Sequence, residues 1–221
     1  MRVKKTLLLV VVAVTGIYLG GCANLPGLQT IPLGNDRLSS LHTVSIDKNI
    51  PKPKTVPLGR SGANLGNMGL VAQVAIQVAT ADPQKDRPDT LNELLEREGI
   101  DVSQIVYSEA ATQLSEKKGL LISDAPGADA TFHFAVNRFV FSRTNPLGNV
   151  YNVTIAMTGK AYSKSNELIW IYTDYVTGMT SDNNQGQSED TYYSDPSKLK
   201  LAIETACKAL LNRMMSTIGN G

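Results

Sequence analysis

From residue 130 onward the apolar residues recur at every second position, and that period decides what this chain can build. Phe132, Phe134 and Val136 share one face of an extended segment, and Phe139 and Phe141 resume the alternation one step out of phase. Alternation marks a strand with one buried face. A single slip in phase is what one extra residue produces, so the pattern predicts a β-bulge near Asn137 and Arg138. The turn-forming run Asn145-Pro146-Leu147-Gly148-Asn149 leads into a second alternating segment, Tyr151, Val153, Ile155 and Met157. The polar stretch 163–167 turns the chain again, into Leu168-Ile169-Trp170-Ile171-Tyr172. Three strands joined by short polar loops predict an antiparallel meander.

The flanks follow the helical period. Asp195 and Pro196 open a last helix, as cap and first-turn residue, and Leu199, Ile203, Ala206, Cys207, Leu210, Met214 and Ile218 form one stripe along it that is suited to closing a face of the sheet. Asp101 is placed to cap another helix, with Gln104 returning the bond and Ile100 stapled onto Ile105; Val102, Ile105, Val106, Ala110 and Leu114 share a face down to Lys118, and Gly119 ends it. Residues 90–97 predict a short helix ended by Gly99, and the Ala-rich run 70–79 predicts a further helix that stops at Asp82-Pro83. Val44 and Ile46 alternate with Ser45 and Asp47 in a first strand over 43–50, stopped by Pro51 and Pro53, and Leu120-Leu121-Ile122 is expected as a short buried strand. The polar stretch 181–194 is expected as a long loop. This order predicts an α+β fold: a two-layer sandwich whose mostly antiparallel sheet contains the three-strand meander, with helices on one face. A small barrel-like sheet with helices outside is the other arrangement it allows.

The amino terminus carries an address. Arg2, Lys4 and Lys5 precede an apolar run over 6–18, which ends in Leu19-Gly20-Gly21-Cys22. A basic segment, a short apolar segment and small residues before a cleavage point are the layout of a secretory signal, and the run is too short for the ~30 Å of hydrocarbon that a spanning helix must cross. With a cysteine at the cleavage point it resembles the lipobox of bacterial lipoproteins. That resemblance implies a diacylglyceryl group on the Cys22 thiol, cleavage between Gly21 and Cys22, and usually a third acyl chain on the new amino terminus. Ala23 and Asn24 follow in place of the Asp that favours inner-membrane retention in that family, so the resemblance implies the outer membrane, with the body facing the periplasm. The expected organisation is a signal peptide over 1–21, a lipidated flexible tether over 22–40 rich in Gly and Pro, and one domain over 41–221. The layout of that domain is similar to the small α/β lipoproteins of envelope assembly.

Without residues 1–21 the chain has 18 Lys and Arg against 20 Asp and Glu, a net charge of −2, which gives nucleic acid no basic surface to bind. With Cys22 taken by lipid, Cys207 has no partner for a disulfide, and packing must supply the stability. Signs of catalysis are sparse. His42 and His133, the only histidines, lie in no metal-ligand spacing, and His133 is expected on the outer face of its strand because Phe132 and Phe134 point the other way. The stretch Gly59-Arg60-Ser61-Gly62-Ala63-Asn64-Leu65-Gly66 lacks the Gly-Lys-Ser/Thr ending of a phosphate loop, and a Gly/Ala-rich segment over 62–81 could instead contact a membrane or another subunit. Glu93, Glu96 and Glu98, and likewise Glu189 and Asp190, read as solvated surface rather than an acid–base pair. Asn152-Val153-Thr154 is a glycosylation triplet on an expected strand. Tyr192 and Tyr193 are candidate partner contacts if exposed, with packing onto the sheet as the alternative. Together these readings anticipate no enzyme, no cofactor and no metal. They point to a membrane-anchored lipoprotein that docks to or helps assemble a cell-envelope complex, with an envelope protein or further copies of itself as partner. The alternative is a module holding a lipid or small apolar ligand between sheet and helices, which needs a cavity of several hundred Å³.

Overall fold

The computed structural model describes residues 30–52, 58–59, 91–117, 119–124, 127–144 and 148–219. The signal expected over 1–21, including Gly21, then Cys22, the helix expected over 70–79, the Gly/Ala-rich segment 62–81, and Asn145, Pro146 and Leu147 lie outside them. In chain order the elements are α1 (Asn35–Ser39), β1 (Thr43–Ile46), β2 (Leu58–Gly59), α2 (Leu91–Arg97), α3 (Val102–Ser115), β3 (Leu121–Ile122), β4 (Ala130–Arg143), β5 (Val150–Ser163), β6 (Leu168–Val176), β7 (Gln187–Ser188), α4 (Glu189–Ser194) and α5 (Pro196–Ser216).

The meander forms as the alternation requires. β4 pairs antiparallel with β5 and β5 with β6, and the β4–β5 register slips between Val136 and Arg138, where the phase of the phenylalanines changes. The rest of the sheet departs from a mostly antiparallel sandwich. The order is β3-β1-β4-β5-β6, with β1 parallel to both β3 and β4, β2 parallel to β4, and β7 antiparallel to β5. The sheet is therefore mixed, and it curls into a half-barrel. The physical reason lies in the connection. The chain leaves β1 and returns through α2 and α3 before entering β3 and β4, and such a crossover delivers strands parallel to the first. Strands of 14 residues, each about 46 Å long, then accumulate enough twist to wrap around a helix.

That helix is α5. Every residue of its predicted stripe from Leu199 to Ile218 is at most 1% exposed, and α3 packs beside it through Val102, Val106, Ala110 and Leu114. Inside the curl, Trp170 meets Phe132 and Phe134 at ring-centroid distances of 5.6 and 6.4 Å, and its Nε1 donates to Thr217 Oγ1 at 2.9 Å. Asp101 caps α3 by accepting the Ser103 N–H at 2.9 Å, and Gly99, at φ +63°, supplies the left-handed turn that ends α2.

Three local expectations are corrected. The stretch 181–194 is not a long loop throughout: it contains β7 and α4, because Ser188 caps a short helix by accepting from the Thr191 N–H. Leu121 is 67% exposed on the edge strand β3, so the buried residue of that trio is Leu120. The tether expected over 22–40 is docked from residue 31. Ile31 bridges Ile171, Leu33 bridges Ile218, and Leu33 is fully buried because its leucine side chain joins the core beside α5.

Asp129 ties the start of β1 to β4. One carboxylate oxygen accepts the backbone N–H groups of His42 and Thr43, each at 2.9 Å, and the Thr43 hydroxyl at 3.1 Å. The bond from Thr43 N–H, then that from His42 N–H, holds the carboxyl below its ordinary value. A depressed folded-state pKa contributes stability that is complete above the unfolded value near 3.9 and lost as pH falls through the folded value. Asp129→Asn should thus be less stable than wild type at neutral pH and converge with it in acid, as read from urea midpoints at pH 7 and pH 3. An equal gap at both pH values would contradict the assignment.

Candidate functional site

Among the described residues, the face of the sheet turned away from α5 brings together histidine, carboxylate, lysine and hydroxyl side chains. The alternation that sends Phe132 and Phe134 inward sends Thr131, His133, Ala135 and Asn137 outward, and the registers place Ser45 opposite Thr131, Lys160 opposite His133 and Thr158 opposite Ala135. His133 sits on this outer face, as its neighbours require. Its Nδ1 stands 2.9 Å from Asp47 Oδ2, and Tyr162 meets its ring edge-on at 5.6 Å between centroids. Two open depressions of about 500 and 390 Å³ share His133 as a lining residue, the first with Tyr162 and Lys164, the second with Asp47, Asn137 and Lys160.

A carboxylate at Nδ1 favours the proton on that nitrogen and leaves Nε2 as the acceptor, which is how a histidine is oriented for general-base work. The serine and threonine hydroxyls around His133 are engaged with neighbours. Ser45 Oγ and Thr131 Oγ1 bond each other at 2.9 Å, and Thr158 Oγ1 bonds both Asn137 Nδ2, at 2.7 Å, and Thr173 Oγ1, at 2.9 Å. Among the described residues, no group of three or more His, Cys, Asp and Glu is placed to hold a metal ion. Asp47 is the residue that reading the strand in isolation missed. Its outward position was legible from the alternation of 44–47, but its proximity to His133 depends on the parallel pairing of Ile46 with Phe132.

The paired tyrosines take the packing alternative. Tyr192 is fully buried on α4, with its ring edge-on to Phe141 at 5.3 Å, and its hydroxyl donates to Tyr151 O at 2.9 Å while accepting Gln187 N–H at 3.1 Å. Burial pushes its phenol up to about 12. Tyr192 as a partner contact is therefore corrected, since one turn of helix rotates it into the core, and Tyr193 is half-buried against the same core. His42 is exposed at the mouth of β1. Asn152 is buried in β5, a strand position, as its triplet reading supposed. Cys207 is free and fully buried, and that burial, with Glu109 and Glu204 nearby, pushes its thiol up, away from the thiolate that a nucleophile requires. No helix among the described residues is long and apolar enough to cross a membrane.

These features define a mixed α+β body with a packed interior and a polar outer sheet face. No protein-family model matches the chain, and no curated protein matches it. Solved structures similar to it include the PelC dodecamer from Paraburkholderia phytofirmans, at 10% identity and a TM-score of 0.39, with 87% of this chain and 95% of that one covered. Another is lipoprotein GNA1162 from Neisseria meningitidis, at 13% identity and a TM-score of 0.24, with 79% and 98% covered. A third is protein XCC0632 from Xanthomonas campestris, at 11% identity and a TM-score of 0.37; 52% of this chain is covered, and it spans 60% of the length of that protein. At such identities and scores the likenesses establish neither family nor function.

Proposed function

We propose that this chain is a membrane-anchored, non-catalytic lipoprotein whose body docks to, or helps assemble, a complex of the cell envelope. The observation that carries the reading is Leu19-Gly20-Gly21-Cys22 at the end of a basic and then apolar leader. Two or more acyl chains, at about 0.8 kcal/mol per buried methylene, hold a protein on a bilayer durably, whereas one chain does not. A permanent anchor suits a protein that works by position. The outer membrane, with the body in the periplasm, follows from Ala23 and Asn24 after the cysteine.

The body supports docking better than the alternative of an enclosed apolar ligand, because Trp170, Phe132, Phe134 and Met214 fill the space between sheet and α5. The depressions on the outer face are open and rich in polar groups, which suits contact with a protein surface. The His133–Asp47 pair is read as a tie between the end of β1 and β4, since the Ser45 and Thr131 hydroxyls beside it are bonded to each other.

Cys22→Ser tests the proposal. Wild type should fractionate with membranes and carry the mass of a diacylated or triacylated amino terminus, and the variant should lose both. Crosslinking at native expression should recover an envelope protein, or further copies of this chain, with wild type and not with the variant. Membrane fractionation unchanged by Cys22→Ser would end the reading.

A further inference from the structure

The docked stretch at Ile31 gives the anchor a direction. Ile31 and Ile171 exchange two backbone hydrogen bonds, at 2.8 and 3.1 Å, in an antiparallel bridge. In such a pair, stepping back from Leu33 to Ile31 runs the same way as stepping forward along β6. The chain toward Cys22 therefore leaves the described body heading for the end of the sheet where β6 finishes at Val176. Cys22 lies nine residues before Ile31. That stretch reaches at most about 30 Å when extended and about 17 Å on average as a flexible coil. The strand from Ile171 to Tyr175 covers about 13 Å of the same direction.

The exposed apolar side chains gather at that end. Six large ones are exposed among the described residues, and four of them lie toward that end: Ile31 at 41%, Tyr175 at 49%, Met179 at 75% and, at the start of β5, five residues past the Ile155–Val176 pair, Val150 at 37%. Residues 176–181 carry no charge and exposed Asp182 follows them, whereas the hairpin at the opposite end of the same sheet turns through Ser163, Lys164, Ser165, Asn166 and Glu167. Met179 projects from a turn held in place from beneath. Asn183 Nδ2 donates to Val153 O at 2.7 Å and to Thr177 O at 3.0 Å, Asn152 Nδ2 donates to Asn183 O, and Gly178 packs so closely that an added Cβ would stand 3.0 Å from both Thr144 and Asn152. Nor is Tyr175 awaiting an added strand: its N–H donates to Asp174 Oδ1 at 2.8 Å, and its carbonyl accepts from Arg213 Nη1 at 3.3 Å. Tyrosine and methionine suit the boundary between headgroups and acyl chains, where the charged neighbours Asp174, Arg213 and Asp182 would stay among the headgroups.

Resting on the lipoprotein reading above, the geometry points to a lipid bilayer as the occupant of this end: the body stands on the membrane with Tyr175, Met179 and Val150 against lipid, and the hairpin at 163–167 faces away. The acyl chains supply the affinity and this patch supplies the orientation. The test uses the full chain, processed and lipidated, purified in detergent and reconstituted in phosphatidylethanolamine–phosphatidylglycerol vesicles that contain nitroxide-labelled lipid. One variant, Met179→Cys, and one control, Lys164→Cys, carry an environment-sensitive fluorophore, and the wild-type chain, whose Cys207 is buried, serves as the blank. In protein that floats with the vesicles, the label at 179 should be blue-shifted and quenched several-fold more strongly than the label at 164. Equal quenching at the two sites in floated protein overturns the orientation and leaves the anchor standing. A blue-shifted label at 179 that lipid nitroxide does not quench shows protein covering the patch, and overturns it as well. Protein that does not float removes the anchor reading, and the orientation with it.

Discussion

Trp170→Ala is expected to cost about 3–5 kcal/mol of stability, a large fraction of the 5–15 kcal/mol typical of a domain. The indole is fully buried at the centre of the curl, where it touches two phenylalanine rings and, through Nε1, the end of α5. Removing it opens a cavity and leaves the Thr217 hydroxyl without its donor. The clearest sign that this space is filled is Gly159. A Cβ there would stand 2.5 Å from two carbons of the indole and 2.8 Å from the Met214 methyl, so only glycine lets β5 pass beneath the ring. Gly159→Ala should itself destabilise by about 1–3 kcal/mol through overpacking. The two changes should not add. In the Trp170→Ala background the added methyl enters vacated space, so the double variant should be more stable than the sum of the single losses implies. Urea midpoints of the four proteins measure this, and strict additivity would show that the indole does not occupy the space over Gly159.

Leu33→Ala should release the amino-terminal segment from the body. Leu33 is fully buried, and its carbonyl accepts the Gly219 N–H at 2.9 Å, which joins the segment to the end of α5. Truncating a buried leucine costs about 2–5 kcal/mol, enough to undock a short terminal segment locally before the sheet unfolds. Arg37, on α1 and 3.1 Å from Glu167, then becomes a protease site. On the proposed Cys22 anchor, limited trypsin treatment of membranes should cleave the variant after Arg37 and release the body into solution while wild type stays attached. Equal release from both would show that Leu33 does not hold the segment.

Much of the fold could be read along the chain, because local periodicity is a local property. The phase slip at Val136 to Arg138 marked the bulge, Asp101 the cap of α3, and Leu199 to Ile218 the buried stripe of α5. Other features arise from contacts between distant segments, and no local pattern encodes them. Leu33 is one leucine in a Gly- and Pro-punctuated stretch until Ile218 lies beside it, and Tyr192 is one of two adjacent polar-loop tyrosines until a turn of helix aims it at Phe141. The His133–Asp47 pair needs residues 86 positions apart in parallel strands.

The order of residues alone thus determined the basic and then apolar pattern that runs up to Cys22, the meander and the amphipathic face of α5, since each is a matter of composition and spacing within a few turns or strands. Tertiary structure alone decided that β1, β2 and β3 run parallel in a curled sheet, and that the chain is already docked on the body at Ile31 and Leu33. Those outcomes depend on which edges and faces meet across the fold, and the free energy of such meetings belongs to pairs of segments far apart in the chain.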